Sequence, residues 1–170
     1  SVGIISSLSS VFLRQTSLAT SYNLLRIDLM ADERKLILSV EDDQDIANLI
    51  RLVLRHAPIT LVHALSGIEA WPILEKQIPD LILLDMMLPG ISGLDFLAQL
   101  RQNPKYESVP VIIISIQADT AYRNRARSLG VVRYLLKPFS PAVLRQEIQQ
   151  ALKITWPESG RLTGLPPADV

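Results

Sequence analysis

The sequence predicts an α/β fold in which five parallel strands form a sheet that is wound with helices on both faces. Five short apolar runs alternate along the chain with five segments of helical periodicity. These runs are apolar throughout, as is typical of parallel strands buried on both faces. Strands that alternate with helices pair in parallel through crossover connections, so these observations agree on one fold class.

The first strand is predicted at residues 35–40, an apolar, β-branched run that ends in the acids Glu41, Asp42 and Asp43. One of these acids can cap the helix that follows. That helix carries apolar residues at alternating spacings of three and one, namely Ile46, Leu49, Ile50, Val53 and Leu54. It is expected to end before Pro58, because proline disfavours helical backbone in the preceding residue.

The second strand is predicted at residues 59–64 and the second helix at residues 66–76. Pro72 lies inside that helix and is expected to kink its axis, because it removes a backbone hydrogen bond. The third strand is a fully apolar run that carries one carboxylate, Asp85, at its end, shortly before a Pro-Gly turn.

The remaining elements continue the alternation of helix and strand. They are predicted as a third helix from Ser92, a fourth strand over 109–115, a fourth helix over 119–129, a fifth strand over 131–136 and a last helix over 142–154. The fourth strand ends in the hydroxyl of Ser115, and the fifth strand precedes Lys137. Gly130 suits a helix end and Pro141 suits a first helical turn.

We expect residues 32–154 to form one domain, with residues 1–31 as an N-terminal extension outside the fold and residues 155–170 as a short C-terminal tail. The extension is rich in Ser and Leu and poor in charge. The alternative for it is an amphipathic helix that docks or dimerises. The tail is too short for a DNA-binding or catalytic output module, so a stand-alone domain is expected.

The composition excludes several classes of protein. Of the 170 residues, 48% are hydrophobic and 20% are charged, which favours a compact fold over a disordered chain. The net charge is zero, so no overall field favours a nucleic-acid or membrane partner. Cysteine is absent, which excludes disulfides and thiolate chemistry, and we expect a reducing, cytoplasmic location. No apolar stretch is long enough to predict a membrane span.

Charged and hydroxyl side chains follow the strands at one edge of the predicted sheet, where open α/β sheets bind their ligands. Two carboxylates about 4 Å apart repel each other by roughly 4 kcal/mol at an effective dielectric of 20. Such a cluster favours Mg²⁺, and we predict that Asp42 and Asp85 hold this ion. Asp85 could then attack a phosphoryl group as a nucleophile. Lys137 would balance the charge of that group, and Ser115 would donate a hydrogen bond to it.

Residues 35–153 resemble the receiver domain of response regulators, the phosphoaccepting half of two-component signalling. The resemblance rests on the acid cluster after the first strand, the D-x-M-x-P-x-x-x-G pattern that begins at Asp85, and Tyr134 three residues before the Lys-Pro-Phe motif at Lys137. Ser115 and Lys137 also follow Asp85 at the spacings usual in this family. Each of these residues alone would be an ordinary helix cap or surface group, but their combination in one chain is highly specific to this family. The resemblance implies the (βα)5 flavodoxin-like receiver fold.

The resemblance also implies roles for the residues at the sheet edge. Asp85 would be the phosphoacceptor, charged by a histidine kinase or a histidine phosphotransfer protein in a phosphorelay. Mg²⁺ would contact Asp42, Asp85 and the backbone carbonyl of Met87. Glu41 would complete the acid pocket through a water molecule, and Lys137 would pair with the phosphoryl group.

A switch is implied by Ser115 and Tyr134, the hydroxyl moving toward the phosphoryl group and the aromatic ring moving inward behind it. Asp43 fits a helix cap better than a direct metal ligand. A downstream protein would bind the face formed by the fourth helix, the fifth strand and the last helix. The molecule would be a switch that promotes its own phosphorylation and dephosphorylation, and not a conventional turnover enzyme.

The sequence departs from the family at several positions. Ile116 replaces a small residue, which could crowd small phosphodonors or restrict the aromatic switch residue. Met87, at a position that tunes the hydrolytic water together with Gln117, offers that water no hydrogen bond, so slow to moderate self-dephosphorylation is expected. Arginines could make the face of the fourth helix basic, although an ordinary solvated face is the alternative; they are Arg123, Arg125, Arg127 and Arg133.

Three other functions are possible from the sequence. Aspartyl-phosphate phosphohydrolases place the nucleophile after the first strand with a second Asp two residues later, whereas Asp85 ends the third strand and is followed by Met86 and Met87. A phosphorylation-independent binding module would have lost acid-pocket residues or Lys137, and all of them are present. The third possibility is the receiver part of a hybrid kinase relay.

Overall fold

The computed structural model describes residues 34–156 of the chain. Within that range, five strands and five helices alternate as the sequence predicts. The predictions for the N-terminal extension and for residues 157–170 of the tail lie outside the described residues. Among the helices of residues 34–156, none is both long and apolar enough to cross a membrane.

The strands form one parallel sheet. They are β1 (Lys35–Val40), β2 (Ile59–Ala64), β3 (Leu81–Asp85), β4 (Val111–Ser115) and β5 (Arg133–Leu136). Their order across the sheet is β2-β1-β3-β4-β5, and every pair is parallel. The winding direction reverses between β1 and β3, and crevices at such reversals are where doubly wound sheets bind ligands. Every residue of β3 and β4 is buried, which confirms the predicted burial of their two faces.

Each helix begins at a polar residue whose side chain accepts hydrogen bonds from the first turn. The helices are α1 (Gln44–Leu54), α2 (Gly67–Lys76), α3 (Gly93–Gln102), α4 (Thr120–Ser128) and α5 (Pro141–Leu152). Their caps are Asp43, Ser66, Ser92, Asp119 and Ser140. The prediction that Asp43 caps α1 is confirmed by hydrogen bonds from the amides of Asp45 and Ile46.

Some element boundaries differ from the predicted ones for local reasons. β4 begins after Pro110, because proline has no backbone N–H for the ladder. β5 begins at Arg133 instead of residue 131, since the amide of Val131 still bonds to the end of α4. α5 ends at Leu152 instead of residue 154, because the backbone of Lys153 is left-handed, with a φ of 55°. α2 continues through Pro72, and hydrogen bonding resumes beyond it.

Two apolar cores lie on the two faces of the sheet. Along β1, Ile37 packs on the face covered by α1 and α5, and Leu38 packs on the face covered by α2, α3 and α4. Trp156, which was predicted to lie in the tail, is buried in the core beside α5. The side-chain amide of Gln149 also donates to its carbonyl at 3.1 Å. The packed part of the chain therefore extends at least to Trp156.

Candidate functional site

The carboxyl ends of the strands bring three charged side chains together. Val40 of β1 pairs with Leu84 of β3, so Glu41 and Asp85 follow at neighbouring positions. Both carboxylates are buried, at 1% and 5% exposure. Lys137 follows β5 and extends into the same crevice. The structure thus joins three of the residues that the sequence placed at this edge.

The loop after Asp85 returns to its own strand at Gly93. The amide of Gly93 donates to the carbonyl of Met86 at 3.1 Å. A Cβ at Gly93 would collide with the backbone carbonyl of Asp85 and with Cα of Met86, so only glycine fits here. The glycine of the D-x-M-x-P-x-x-x-G pattern therefore has a steric role: it lets α3 begin against the end of β3.

Lys137 is the cation of the pocket. Its Nζ lies 2.6 Å from Oδ2 of Asp85 and 3.0 and 2.9 Å from the two oxygens of Glu41. The three side chains are at most 10% exposed. Charge-assisted hydrogen bonds of this length are strong when they are shielded from water. One ammonium group thus compensates two neighbouring carboxylates.

Burial and these contacts shift the acid–base behaviour of the pocket. Burial raises the pKa of Glu41 to about 7; the hydrogen bond from Lys137 opposes this rise and the charge of Asp85 adds to it. Burial also works against the charge of Lys137, but its hydrogen bonds to Asp85 and Glu41 outweigh that effect and raise its pKa. Lys137 therefore stays an ammonium ion at neutral pH.

Glu41, Asp42 and Asp85 each offer a carboxylate oxygen, and these oxygens lie within 4.8 Å of one another. The donors are all oxygen, which is the chemistry of sites for hard divalent cations such as Mg²⁺. Asp42 is exposed, so a metal here would keep contact with water. The residues present therefore fit a Mg²⁺ ion.

Met87 contributes through its backbone. Its amide donates to Oδ1 of Asp85 at 3.0 Å, which fixes the orientation of that carboxylate. The residue is 58% exposed. The role of the Met87 carbonyl as a metal ligand stays a prediction.

The proposed switch residues lie on the other side of the site. The amide of Gln117 donates to Oγ of the buried Ser115 at 3.0 Å. The hydroxyl of Tyr134 donates to the carbonyl of Gln117 at 2.7 Å. Burial raises the pKa of Tyr134, and the neighbouring Ser115 side chain and the charge of Arg123 oppose that rise. The backbone of Gln117 thus links Ser115 to Tyr134.

Three of the four arginines predicted to line a basic face have defined side-chain contacts. Arg133 pairs with Glu147 of α5 at 2.7 Å. Arg125 lies 3.9 Å from Asp95 of α3. Arg123 lies over the ring of Tyr134, with 5.6 Å between its guanidinium carbon and the ring centre. Arg133 is therefore paired with an acid of α5, and the basic face of α4 stays a prediction.

Two contacts of the site could not have been found from the sequence. One is the bridge through the Gln117 backbone, since a main-chain contact carries no residue signature. The other is the placement of Arg123 on Tyr134, because these residues belong to different elements and periodicity does not fix how a helix is rotated about its axis. The other residues of the site could be predicted because they follow the ends of apolar runs that predict strands.

Comparison with known proteins gives a consistent result. The model of the response regulator receiver domain family matches residues 37–149. The phosphate regulon transcriptional regulatory protein PhoB of Rhizobium meliloti is 34% identical over 119 residues. That match covers 70% of this chain and 52% of the relative, so the chain spans about half the length of that regulator.

Solved structures agree with the sequence matches. A putative response regulator from Chloroflexus aurantiacus superimposes with a TM-score of 0.67 at 32% identity, covering 71% of this chain and 99% of that one. The Mn²⁺-bound form of the response regulator Rcp1 gives a TM-score of 0.64 at 28% identity, covering 73% and 99%. Both chains are matched over nearly their whole length by the described fold.

Proposed function

This chain belongs to the response regulator receiver domain family, and on that premise we propose that it accepts a phosphoryl group on Asp85 from a phosphohistidine partner. Receiver domains are signalling switches and not conventional turnover enzymes. The observation that carries the proposal is the 2.6 Å contact between Nζ of Lys137 and Oδ2 of Asp85, in a pocket that the buried Glu41 shares. It places an ammonium group beside the carboxylate on which negative charge would accumulate.

The transfer is an in-line displacement at phosphorus. An oxygen of Asp85 attacks phosphorus, a P–O bond forms and the P–N bond of the phosphohistidine breaks. The electron pair of the broken bond stays on the imidazole nitrogen, which takes up a proton from solvent. Lys137 shifts from the carboxylate toward the phosphoryl oxygens and balances their charge, while the Met87 amide keeps the acyl group oriented.

We propose Asp42, Asp85 and the backbone carbonyl of Met87 as the protein ligands of Mg²⁺, with Glu41 acting through water. The support is the oxygen-only cluster at the crevice. When bound, Mg²⁺ supplies positive charge that lowers the repulsion between the phosphoryl oxygens and the carboxylates. Burial raises the pKa of Glu41, so the ionised form of this carboxylate is disfavoured in the pocket, and a divalent cation would stabilise that form.

Ser115 and Tyr134 are proposed to report the modification. The Ser115 hydroxyl would leave the amide of Gln117 and donate to a phosphoryl oxygen. Because Tyr134 bonds to the carbonyl of Gln117, a shift of that loop would be felt by the aromatic ring. The face formed by α4, β5 and α5 would then bind a downstream protein, and the kinase or phosphotransfer partner would dock over the pocket. We place the phosphoaccepting domain at residues 32–154, with Trp156 packed against it.

Phosphorylation by a small donor tests the proposal. The chain would be incubated with phosphoramidate in the presence of Mg²⁺ or of EDTA, and intact-mass and peptide mass spectrometry would count and locate the phosphoryl group. We expect one hydroxylamine-labile acyl phosphate on Asp85, formed only with Mg²⁺. Asp85→Asn should abolish it.

The matched control is Asp95→Asn, which removes an exposed carboxylate from the first turn of α3. This variant should be phosphorylated like the original chain. Unchanged labelling of Asp85→Asn, or labelling that is equally fast in EDTA, contradicts the proposed site. Complete absence of an acyl phosphate contradicts the proposed function and leaves a phosphorylation-independent binding module as the better description.

A further inference from the structure

Helix α4 reaches the switch residues through a charged side chain. Within α4, only Ala126 is buried, so apolar packing holds this helix weakly. Its half-buried residue Arg123 places the guanidinium carbon 5.6 Å from the centre of the Tyr134 ring. That separation lies within the range of a cation–π interaction. The contact therefore joins a loosely packed helix to the aromatic residue of the switch.

Tyr134 is held at both ends. Its hydroxyl donates to the carbonyl of Gln117 at 2.7 Å, while Arg123 covers its ring. The amide of the same Gln117 donates to Oγ of Ser115 at 3.0 Å. A continuous series of contacts thus runs from Ser115, through the β4–α4 loop and the aromatic ring, to the first turns of α4.

The charge of Arg123 is directed to the ring rather than to an acid. Among residues 34–156, no carboxylate lies within ion-pair distance of Arg123. Asp119, four residues before it, is engaged in capping the helix through the amides of Ala121 and Tyr122. Arg125 differs in this respect, because an acid lies within 4 Å of it.

We infer that Arg123 is a positioning residue that holds Tyr134 against the β4–α4 loop before phosphorylation, and so presets the readout of the switch. The inference rests on the proposed role of Ser115 and Tyr134. If phosphorylation favours the loop-directed orientation of the ring, any contact that already favours it reduces the conformational change still needed. Arg123 is such a contact.

The expected size follows from the strength of the contact. Cation–π interactions at partly exposed sites change an equilibrium by about two- to fivefold. Removing the charge of Arg123 should therefore lower the ratio of loop-directed to outward Tyr134 by about that factor. Phosphorylation multiplies this ratio in either chain, so the loop-directed population of a chain without the Arg123 charge has further to rise upon phosphorylation.

The experiment measures the orientation of Tyr134 by NMR in chains with isotope-labelled tyrosine. The chain has four tyrosines, so the Tyr134 signals would be assigned with Tyr134→Phe. The χ1 populations and the cross-peaks between the ring and the β4–α4 loop would be compared in the original chain, Arg123→Gln and Arg123→Lys. Arg127→Gln is the matched control, because it removes an exposed arginine from the same helix.

We expect Arg123→Gln to lower the ratio of loop-directed to outward Tyr134 by about two- to fivefold, Arg123→Lys to restore part of it, and Arg127→Gln to leave it unchanged. Equal populations in all four chains overturn the inference. So does an equal loss in Arg123→Gln and Arg127→Gln, because that result assigns the effect to the stability of α4 alone. If Arg123→Gln fails to fold, Arg123→Met takes its place, because it also removes the charge and keeps a long side chain.

This measurement is made without phosphorylation, so it can fail while Asp85 is still phosphorylated. A second arm repeats it after phosphorylation by phosphoramidate with Mg²⁺. We expect phosphorylation to restore the loop-directed population of Arg123→Gln to nearly that of the phosphorylated original chain. If phosphorylation changes the orientation of Tyr134 in neither chain, the switch role of Tyr134 is contradicted. If no acyl phosphate forms, only the proposed function is contradicted.

Discussion

The two sides of the candidate site are built differently. The pocket side, made of Glu41, Asp85 and Lys137, consists of buried charges joined directly by hydrogen bonds. The readout side, made of Ser115, Tyr134 and α4, is joined through loop backbone and one cation–π contact. Opening the pocket side would expose unpaired charge, whereas the readout side can rearrange by exchanging weak contacts. The first arrangement suits chemistry, and the second suits a change of shape.

The helices that flank the site show the same difference. α3 buries five residues, including Phe96, and continues directly from the pocket loop. α4 buries only Ala126. Since each fully buried large apolar side chain stabilises a fold by about 1.5–3 kcal/mol, α4 contributes much less to the core than α3 does. Segments with few buried contacts are those that open locally at low cost.

Phe96→Ala should produce the largest change. Phe96 is fully buried and its ring centre lies 5.0 Å from that of Trp71, so truncation leaves a cavity beneath α3. We expect the free energy of unfolding in urea to fall by about 3–5 kcal/mol. Tyr122→Ala on α4, where the side chain is 45% exposed, should change it by less than about 0.5 kcal/mol. Similar losses in the two variants would refute the contrast between the helices.

Lys137→Met tests the charge balance of the pocket side. Without the ammonium group, Glu41 and Asp85 become two neighbouring buried carboxylates with no cation. We expect the free energy of unfolding in EDTA to fall by about 3 kcal/mol, the lower end of the range for a broken buried pair. The control Lys76→Met removes an exposed lysine and should have little effect. A loss below about 1 kcal/mol would show that the pocket does not depend on its lysine.

Arg101→Met tests how α4 is held. The Arg101 guanidinium donates to the carbonyls of Leu129 at 2.8 Å, Tyr106 at 3.2 Å and Gly130 at 3.3 Å, so it ties the end of α4 to α3. Its removal should lower the opening free energy of α4 by about 2 kcal/mol. Hydrogen exchange should report this as faster exchange of α4 amides, with α3 amides changed much less. Uniform acceleration in both helices would contradict a local role.

Much of the pocket side could be predicted from the sequence, because its residues sit at the ends of apolar runs. Parallel strands bring their carboxyl ends to one edge, so the proximity of Asp85 to Glu41 follows from pattern alone. Lys137 could be placed there for the same reason. Capping residues such as Asp43 could also be predicted, since a cap acts on neighbouring residues in the chain.

The readout side could not be predicted to the same degree. The contact of Arg123 with Tyr134 depends on how α4 is rotated about its axis, and a helix with one buried residue has too little apolar pattern to define that rotation. The pairing of Arg133 with Glu147 depends on the rotamer of a long side chain, which no sequence pattern defines. Burial of Trp156 depends on a chain reversal at Lys153, and no apolar periodicity marks it.

Stabilisation of the fold by magnesium should depend on the pocket side and not on the readout side. A ligand that binds only the folded chain adds about 1.4 kcal/mol to the free energy of unfolding when its free concentration is about ten times its Kd. We expect this gain in the original chain and in Arg123→Gln, and its loss in Asp42→Asn. Urea titrations at several Mg²⁺ concentrations give the gain directly. A gain retained by Asp42→Asn would place the ion elsewhere.

The pH dependence of the free energy of unfolding tests whether the pocket side titrates separately from the readout side. Burial raises the pKa of Glu41 to about 7 from 4.5, so between these values the folded chain binds more protons than the unfolded one. In EDTA, this group should therefore add stability as the pH falls from above 7 toward 4.5, with no further gain below that. The gain is spread over the whole interval between pH 7 and pH 4.5, so it is read from the shape of the stability curve and not from a single pH.

Glu41→Gln should remove this component, and the difference between its pH–stability curve and that of the original chain isolates it from other groups. His63 makes this subtraction necessary: burial and the charge of Arg51 lower its pKa, so it destabilises the folded chain as the pH falls through the same window. Tyr134→Phe, on the readout side, should leave the shape of the curve between pH 4.5 and 7 unchanged. If Glu41→Gln and Tyr134→Phe altered it equally, the titration would belong to the whole site, and the two sides could not be treated as separately built.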